Sequence, residues 1–296
     1  MTADGTAVAV VLFHPDPEQI ARLVERFVGR VPAVLVYDNG GTPADALARL
    51  MAASGVQVLG GTGNLGIAAA LNAVVARAMS LGVRHLLLLD QDADATPDTL
   101  TDLVAAYRRL ADAPVAVVGP APASASGHKA PRYPRRPGIE PRGGLVPVQF
   151  LATSGSLLDL AVFHRVGPFR EDYFIDAVEL EWCFRAWARG LGCWMETGTA
   201  IPHSVGGGVI RARFLPVTMP RQAPFRMATY IRNTVYGWRL SHVPRRWKRR
   251  QMLYLPLQIA LYWGDHGYRP AVLARLLRAG LDGLRGRLGR PADAPP

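Results

Sequence analysis

Two carboxylates one residue apart, Asp90 and Asp92, follow four consecutive leucines, Leu86 to Leu89. An all-apolar run that ends in polar residues reads as a strand buried on both faces of a parallel sheet. In such sheets ligands collect at the carboxyl ends of the strands, and alternate residues of an extended segment point the same way. Asp90 and Asp92 can therefore face one ligand, and two hard oxygen donors suit a divalent cation carrying a diphosphate. The triplet alone is weak: a D-x-D is expected about once by chance in a chain of this length. Asp92-Ala93-Asp94 is a second match, and the same aspartates could cap a helix that starts near Pro97.

A second acidic group lies at Asp176, Glu179 and Glu181. On a helix over residues 176–189, Asp176 and Glu179 share a face and Glu181 lies elsewhere. One acid can serve as general base with the others in support. The competing reading is a solvated helix start, where the dipole favours acids. Trp182, Phe184 and Trp187 read as core before substrate platform. His203 follows a short strand at 199–202 and precedes a glycine run, a place for a metal or phosphate contact, although an isolated histidine is more often structural. Asp38, opening Asp38-Asn39-Gly40, can accept the N–H of a pyrimidine base or simply close a turn. The loop at 60–66 can bring backbone N–H groups to phosphates ahead of a helix at 67–81. It is a poor dinucleotide fingerprint, because its strand is short and no acid follows about twenty residues later.

The positioning elements are legible. Strands are predicted at 7–13, 33–37, 56–59 and up to Asp90, with helices at 16–28, 43–54, 67–81 and 97–110. Short loops between alternating strands and helices predict a parallel α/β sheet with right-handed crossovers. His14-Pro15, Asp38, the glycine loop and Asp90 would then share one sheet edge. Residues 119–144, rich in Pro, Gly, Ser and Arg, read as a long loop. Residues 146–152 and 156–162 resume strand-like and apolar sequence, 211–224 read as a Pro-punctuated linker, and 225–288 read as helical.

The 296 residues, 49% hydrophobic, suffice for a large domain with an appended segment, or two domains. Cys183 and Cys193 alone exclude a disulfide framework or a Cys-based zinc site and fit a reducing compartment. No basic n-region opens the chain, so no signal peptide is expected, and no apolar run approaches the roughly 18 residues of a membrane span. The net charge of +11 is concentrated: residues 221–296 hold 15 Lys and Arg against three acids, while the rest holds 19 basic and 20 acidic residues. A surface for phosphates follows, on nucleic acid or anionic lipid. Arg245, Arg246, Lys248, Arg249 and Arg250 precede an apolar run at 252–263. Residues 271–288 place Leu273, Leu276, Leu277, Leu281, Leu284 and Leu288 along one side. This favours a membrane surface over helices packed on the body. No nucleic-acid reader motif is present.

Taken in order, His14-Pro15, Asp38-Asn39-Gly40, residues 64–72, Leu89-Asp90-Gln91-Asp92, Thr153-Ser154-Gly155-Ser156, residues 174–183 and His203 resemble the family 2 glycosyltransferases of the GT-A fold. Among these they resemble the bacterial rhamnosyltransferases of polysaccharide assembly. The match runs over about residues 8–205, with a looser echo at Tyr230-Ile231-Arg232-Asn233. The resemblance implies a GT-A domain over 1–210, Rossmann-like with a mostly parallel sheet flanked by helices, and a C-terminal basic helical extension over 211–296.

It also implies roles. His14, Asp38, Asn64, Gly66, Asp90 and Gln91 would contact the nucleotide sugar, Asp38 at its pyrimidine ring. Asp92 and His203 would hold Mg²⁺ or Mn²⁺. Glu179 would be the catalytic base, one methylene longer than the family's usual aspartate, with Asp176 and Glu181 as supporting acids. Ser154, Gly155, Trp182 and Arg232 would face acceptor or diphosphate. The implied reaction is inverting transfer of a sugar, dTDP-L-rhamnose being the favoured donor through Gln91, to a polyprenyl-diphosphate-linked or glycan acceptor. The implied setting is cytoplasmic, at the inner face of the bacterial plasma membrane, with an anionic membrane surface as partner, no nucleic acid, and a homo-oligomer possible.

Two other classes stay open on residues alone. A nucleotidyltransferase would want a Gly-rich, basic first loop, which His14-Pro15-Asp16-Pro17 does not supply. A non-catalytic membrane-surface or nucleic-acid binder would rest on the basic tail.

Overall fold

The computed structural model describes residues 5–61, 63–124, 132–203, 208–212 and 218–296. In chain order its first half runs β1 (Thr6–Leu12), α1 (Pro17–Glu25), β2 (Val34–Asp38), α2 (Ala44–Ala52), β3 (Val56–Gly60), α3 (Ile67–Ser80), β4 (His85–Asp90), α4 (Pro97–Arg108) and β5 (Val115–Ser124). There follow β6 (Leu145–Pro147), β7 (Ser156–Asp159), α5 (Leu160–Val166), α6 (Val178–Ala188), β8 (Gly192–His203) and a hairpin of β9 (Val209–Arg211) and β10 (Thr218–Pro220). Three helices close the chain: α7 (Pro224–Gly237), α8 (Arg245–Asp265) and α9 (Pro270–Arg285).

Eight strands form one sheet in the order β3-β2-β1-β4-β7-β5-β8-β6. The β3-β2-β1-β4 half is parallel, β7 is antiparallel to both neighbours, and β6 runs antiparallel to β8. Helix starts are set locally: Asp16 caps α1 through the amides of Glu18 and Gln19, and a Thr96–Thr99 capping box opens α4. The leucines of β4 are fully buried, Leu86 and Leu88 in the layer under α3 and α6, Leu87 and Leu89 in the layer under α1 and α4. At about 1.5–3 kcal/mol per buried leucine, this strand anchors both layers. The register sets Leu12 beside Asp38 and Val11 beside Asp90, so the polar residues that end β2 and β4 flank the end of β1.

Several expectations change: the short strand expected at 199–202 is β8, which begins at Gly192, and the helical stretch at 225–288 divides into α7, α8 and α9. β5 runs on to Ser124, six residues into the predicted loop, because it pairs with the full length of β8. The apolar stretch at 156–162 divides into β7 and α5, where Asp159 accepts from the Ala161 amide and starts the helix. The linker at 211–224 holds β10. Finally, α6 starts at Val178, so Asp176 is not on it, and the helical spacing of Asp176 and Glu179 does not apply.

The C-terminal helices enclose a small core of their own, Met227, Ile231, Leu255, Tyr262 and Leu276 with Ile210 and Met219 of the hairpin. They are also joined to the sheet domain. Arg232 and Asn233 of α7 hydrogen-bond the backbone at Tyr173, and the Gly289 amide bonds the Asp172 carbonyl.

Candidate active site

The carboxyl ends of β1 to β4 carry one polar group. Asp38 is buried, and its Oδ1 accepts from the Gly40 amide (3.1 Å) and the Thr42 hydroxyl (2.7 Å). Asn39 donates to Asn64 Oδ1 at 3.2 Å and accepts from the Leu65 amide at 2.9 Å. Asn64 Oδ1 also takes the Gly66 amide at 3.0 Å, and its Nδ2 donates to the Pro295 carbonyl. The Asp38 turn and the Asn64 turn are thus one hydrogen-bonded unit, with residues near the C-terminus against it. His14, in the left-handed region at φ 46°, donates its amide to Gly40 and sits against Gly41. Gln91 spends its side-chain amide on both backbone groups of Phe13, at 2.8 and 3.1 Å, tying the end of β4 to the end of β1.

Gly66 links this unit to the second acidic group. At φ +86° a Cβ there would lie 2.5 Å from the Phe174 ring, and the next amide, Ile67, donates to the Phe174 carbonyl at 2.9 Å. Phe174, Asp176 and Ala177 all have φ between 62° and 64°. Non-glycine residues in that region cost about 1–2 kcal/mol each, so the turn is held from outside. It delivers Glu179 in the first turn of α6.

Glu179 is half-buried, enclosed by Leu88, Leu151, Thr153, Phe169 and Trp182. Burial pushes its carboxyl up to about 7, against its own backbone N–H. The charges of Asp176 and Asp90 add to the rise, and Arg226 opposes it. Asp176 is likewise raised by burial, offset by Arg226, whose guanidinium meets it at 2.7 Å (Nη2–Oδ1). Tyr133 accepts from the Ala152 amide, and burial raises its hydroxyl to about 12, with Glu179 and Asp90 contributing. Ser154 Oγ accepts the Asp90 amide at 3.1 Å, and Gly155 at φ +82° packs against Pro120 and Ile201. Asp90, Tyr133, Ser154, Asp176, Glu179 and Arg226 therefore surround one place at the sheet edge.

Asp92 is exposed on the next turn, in a cavity of about 230 Å³ that it shares with Asp16, Arg22, Arg26 and Asp94. His203 ends β8, and its side chain lies outside the described residues. Among the described residues no three His, Cys, Asp or Glu side chains converge as a metal site. Asp90 ends β4 and Asp92 follows two residues on, lining a cavity that includes neither Asp90 nor Glu179. A carboxylate there would suit a cation that keeps waters and takes its other ligands from a substrate's phosphates.

Three other residues expected at the site have their polar groups turned elsewhere, although the Trp182 ring walls the cavity beside Glu179. Glu181, two residues beyond Glu179 and so on the far side of α6, is buried between Arg185 (2.9 Å) and His242 (2.7 Å). Trp182 is core, its indole N–H on the Gly167 carbonyl and its ring stacked with Phe163. Arg232 is buried, with its guanidinium on the carbonyls of Tyr173 and Gly289 and on Asn233 Oδ1. Nothing in the sequence marks Arg226 or Tyr133 as part of this site. Arg226 is one of many arginines in a basic stretch, and Tyr133 stands in a segment without periodicity. Asn233 had one signal, its place beside Arg232 in the looser motif.

This architecture is the fold of solved glycosyltransferases of the GT-A type. S. aureus TarS 1–349 in complex with UDP-GlcNAc superposes with a TM-score of 0.58 at 12% identity, over 96% of this chain and 81% of that one. GalNAc-T7 with UDP, GalNAc and Mn²⁺ gives 0.53 at 13% identity, over 67% of this chain and 42% of that chain. No family model matches the chain. In sequence it is 24% identical over 292 residues to the dTDP-rhamnosyl transferase RfbF of Shigella flexneri, covering 95% of each. The motif resemblance to bacterial rhamnosyltransferases thus has a full-length counterpart.

Proposed function

We propose that this chain is an inverting glycosyltransferase that moves L-rhamnose from dTDP-L-rhamnose to a hydroxyl of a lipid-linked or polysaccharide acceptor. The observation that carries the reading is Glu179, a half-buried carboxyl pushed up to about 7 and facing Asp90 at the sheet edge. A base poised near neutral pH can be ionised at rest and still take a proton effectively. The full-length dTDP-rhamnosyl transferase relative supports the donor.

In this mechanism Glu179 removes the proton of the acceptor hydroxyl as its oxygen attacks the anomeric carbon. The bond from that carbon to the diphosphate oxygen breaks on the opposite face, and the nucleoside diphosphate leaves with the electron pair. Asp38 holds the pyrimidine, while Asn64 and Gly66 shape the turn beside it. Mg²⁺ or Mn²⁺ held by Asp92, with His203, would supply Lewis-acid stabilisation of the leaving diphosphate.

The C-terminal helices support a membrane-bound acceptor. Leu277, Leu281 and Leu284 of α9 are 53%, 47% and 55% exposed on one face, beside Arg278 and Arg285. Leu253 of α8 is 79% exposed next to Arg249 and Arg250. Among the described residues no helix is long and apolar enough to cross a membrane. Apolar side chains set among arginines suit the interface of an anionic bilayer, each arginine near the surface adding about 1 kcal/mol. The working position is then the inner face of the bacterial plasma membrane.

The test is donor hydrolysis across a panel of nucleotide sugars, with and without Mg²⁺, Mn²⁺ and chelator. dTDP-L-rhamnose should be hydrolysed fastest and only with metal. Pyrophosphate release from a nucleoside triphosphate and a sugar phosphate would replace this reading with nucleotidyl transfer.

A further inference from the structure

The three left-handed residues before α6 raise the question of what holds them. Two consecutive side chains of α7 do so, more than fifty residues away in sequence. The two N–H groups of the Asn233 amide reach the carbonyls of Tyr173 (3.0 Å), Ile175 (2.9 Å) and Asp176 (2.9 Å), one of them shared between two carbonyls. Arg232 donates to the Tyr173 carbonyl at 3.1 Å, and its Nε bonds Asn233 Oδ1 at 3.1 Å, which fixes the direction of the amide. Arg232 is held in turn by the Gly289 carbonyl at 2.7 Å, and α9 comes close enough to it only because residue 283 is glycine. Asn233 is 1% exposed, and every bond its amide donates goes to this one turn. A buried amide aimed at three of the four carbonyls from Tyr173 to Asp176, the fourth being held by the Ile67 amide, is a fastening, since leaving such groups unpaired is costly.

We propose that Asn233, oriented by Arg232, is a positioning residue for the catalytic base: it locks the left-handed turn at 174–177 from which Glu179 is presented to the acceptor hydroxyl. The C-terminal helices are then part of the catalytic machinery, whatever surface they also offer. The inference rests on the transfer reading for its kinetic consequence and on geometry alone for its structural one.

The test uses Asn233→Ser in the full chain, with and without Ala177→Gly. Glycine adopts the left-handed conformation of Ala177 (φ 63°, ψ 11°) without strain, so it lessens the need for the fastening. Asn233→Ser should lower kcat by about 10²-fold, the cost of displacing a reacting group by about 1 Å, with the donor dissociation constant little changed. Adding Ala177→Gly should return about tenfold of that loss, the equivalent of the left-handed penalty at one residue.

An activity-independent readout is the Glu179 carboxyl resonance in labelled protein, assigned with Glu179→Gln. Asp90, Asp176, Arg226, Tyr133 and Cys183 face this group or its surroundings in the wild type. In Asn233→Ser its titration should move from about 7 toward the ordinary glutamate range as the turn relaxes into water. Should Asn233→Ser not fold, Arg232→Lys keeps the charge, loses the fork that orients the amide, and should shift the titration in the same direction. An unmoved titration, or no recovery on adding Ala177→Gly, overturns the inference. Absence of sugar transfer by the wild type, with the titration behaving as stated, removes the functional reading and leaves the fastening.

Discussion

Arg226 grips Asp176 at two points, Nη2 to Oδ1 at 2.7 Å and Nε to Oδ2 at 3.4 Å, and brings a cation from the C-terminal helices to the three acids of the sheet edge. Both residues act on Glu179, with opposite signs. Asp176→Asn removes a charge that raises Glu179 and leaves Arg226, which lowers it, without its ionic partner. The two changes add, so the Glu179 pKa falls. The proposed mechanism requires the ionised base, so the acidic limb of the kcat–pH profile should move down by about one pH unit. A limb that moves up would mean that another group sets it.

Glu179→Gln should lose about 10²-fold or more of transfer while binding dTDP as the wild type does. Its stability should change in a set direction. The folded pKa of Glu179 is raised from 4.5 to about 7, so the neutral form favours folding below the lower value, and that contribution is lost as pH rises through the higher one. Glutamine escapes the loss. Denaturant unfolding at pH 8 should find Glu179→Gln more stable by about 2–3 kcal/mol, and the gain should vanish near pH 4.

Gly66→Ala tests the joint between the Asn64 turn and the turn that carries Glu179. The new Cβ meets the Phe174 ring at 2.5 Å and the Phe174 carbonyl at 2.6 Å, with backbone at φ +86°. A loss of about 1–3 kcal/mol in unfolding free energy is expected. Donor affinity and kcat should fall together, because one displacement moves the Asn64 turn and the turn that carries Glu179. Titration calorimetry with dTDP and a turnover assay on the same preparation check this.

Leu281→Glu places a charge in the centre of the exposed leucines of α9. Co-sedimentation with vesicles containing phosphatidylglycerol should drop by about tenfold, since an apolar contact is exchanged for a charge repelled by the lipid. Turnover of a soluble acceptor should not change. Wild-type binding should weaken at high salt as the arginine contribution is screened.

The sheet was readable because its signals are local. The all-leucine run before Asp90 marks a strand buried on both faces, and the strand–helix alternation through residue 110 marks the parallel half. The Asp38 turn, the Asn64 turn and Asp90 were placed at one edge by that alternation alone. The helix predicted from Asp176 began two residues early. Its pattern of acids and aromatics is helical, but Asn233 and the Phe174 contact with Gly66 draw the preceding turn into left-handed backbone.

What the sequence by itself determined, then, is the scaffold and the edge on which polar residues gather, because periodicity and turn chemistry are properties of neighbouring residues. Only the tertiary structure decided how the acids divide, Glu179 facing Asp90 while Glu181 turns inward to Arg185 and His242. Only it brought Arg226 and Asn233 to the turn at 174–177. Those assignments depend on burial and, for Arg226, Asn233 and His242, on contacts across fifty or more residues of chain, and the pKa of a carboxyl follows its surroundings and not its spacing.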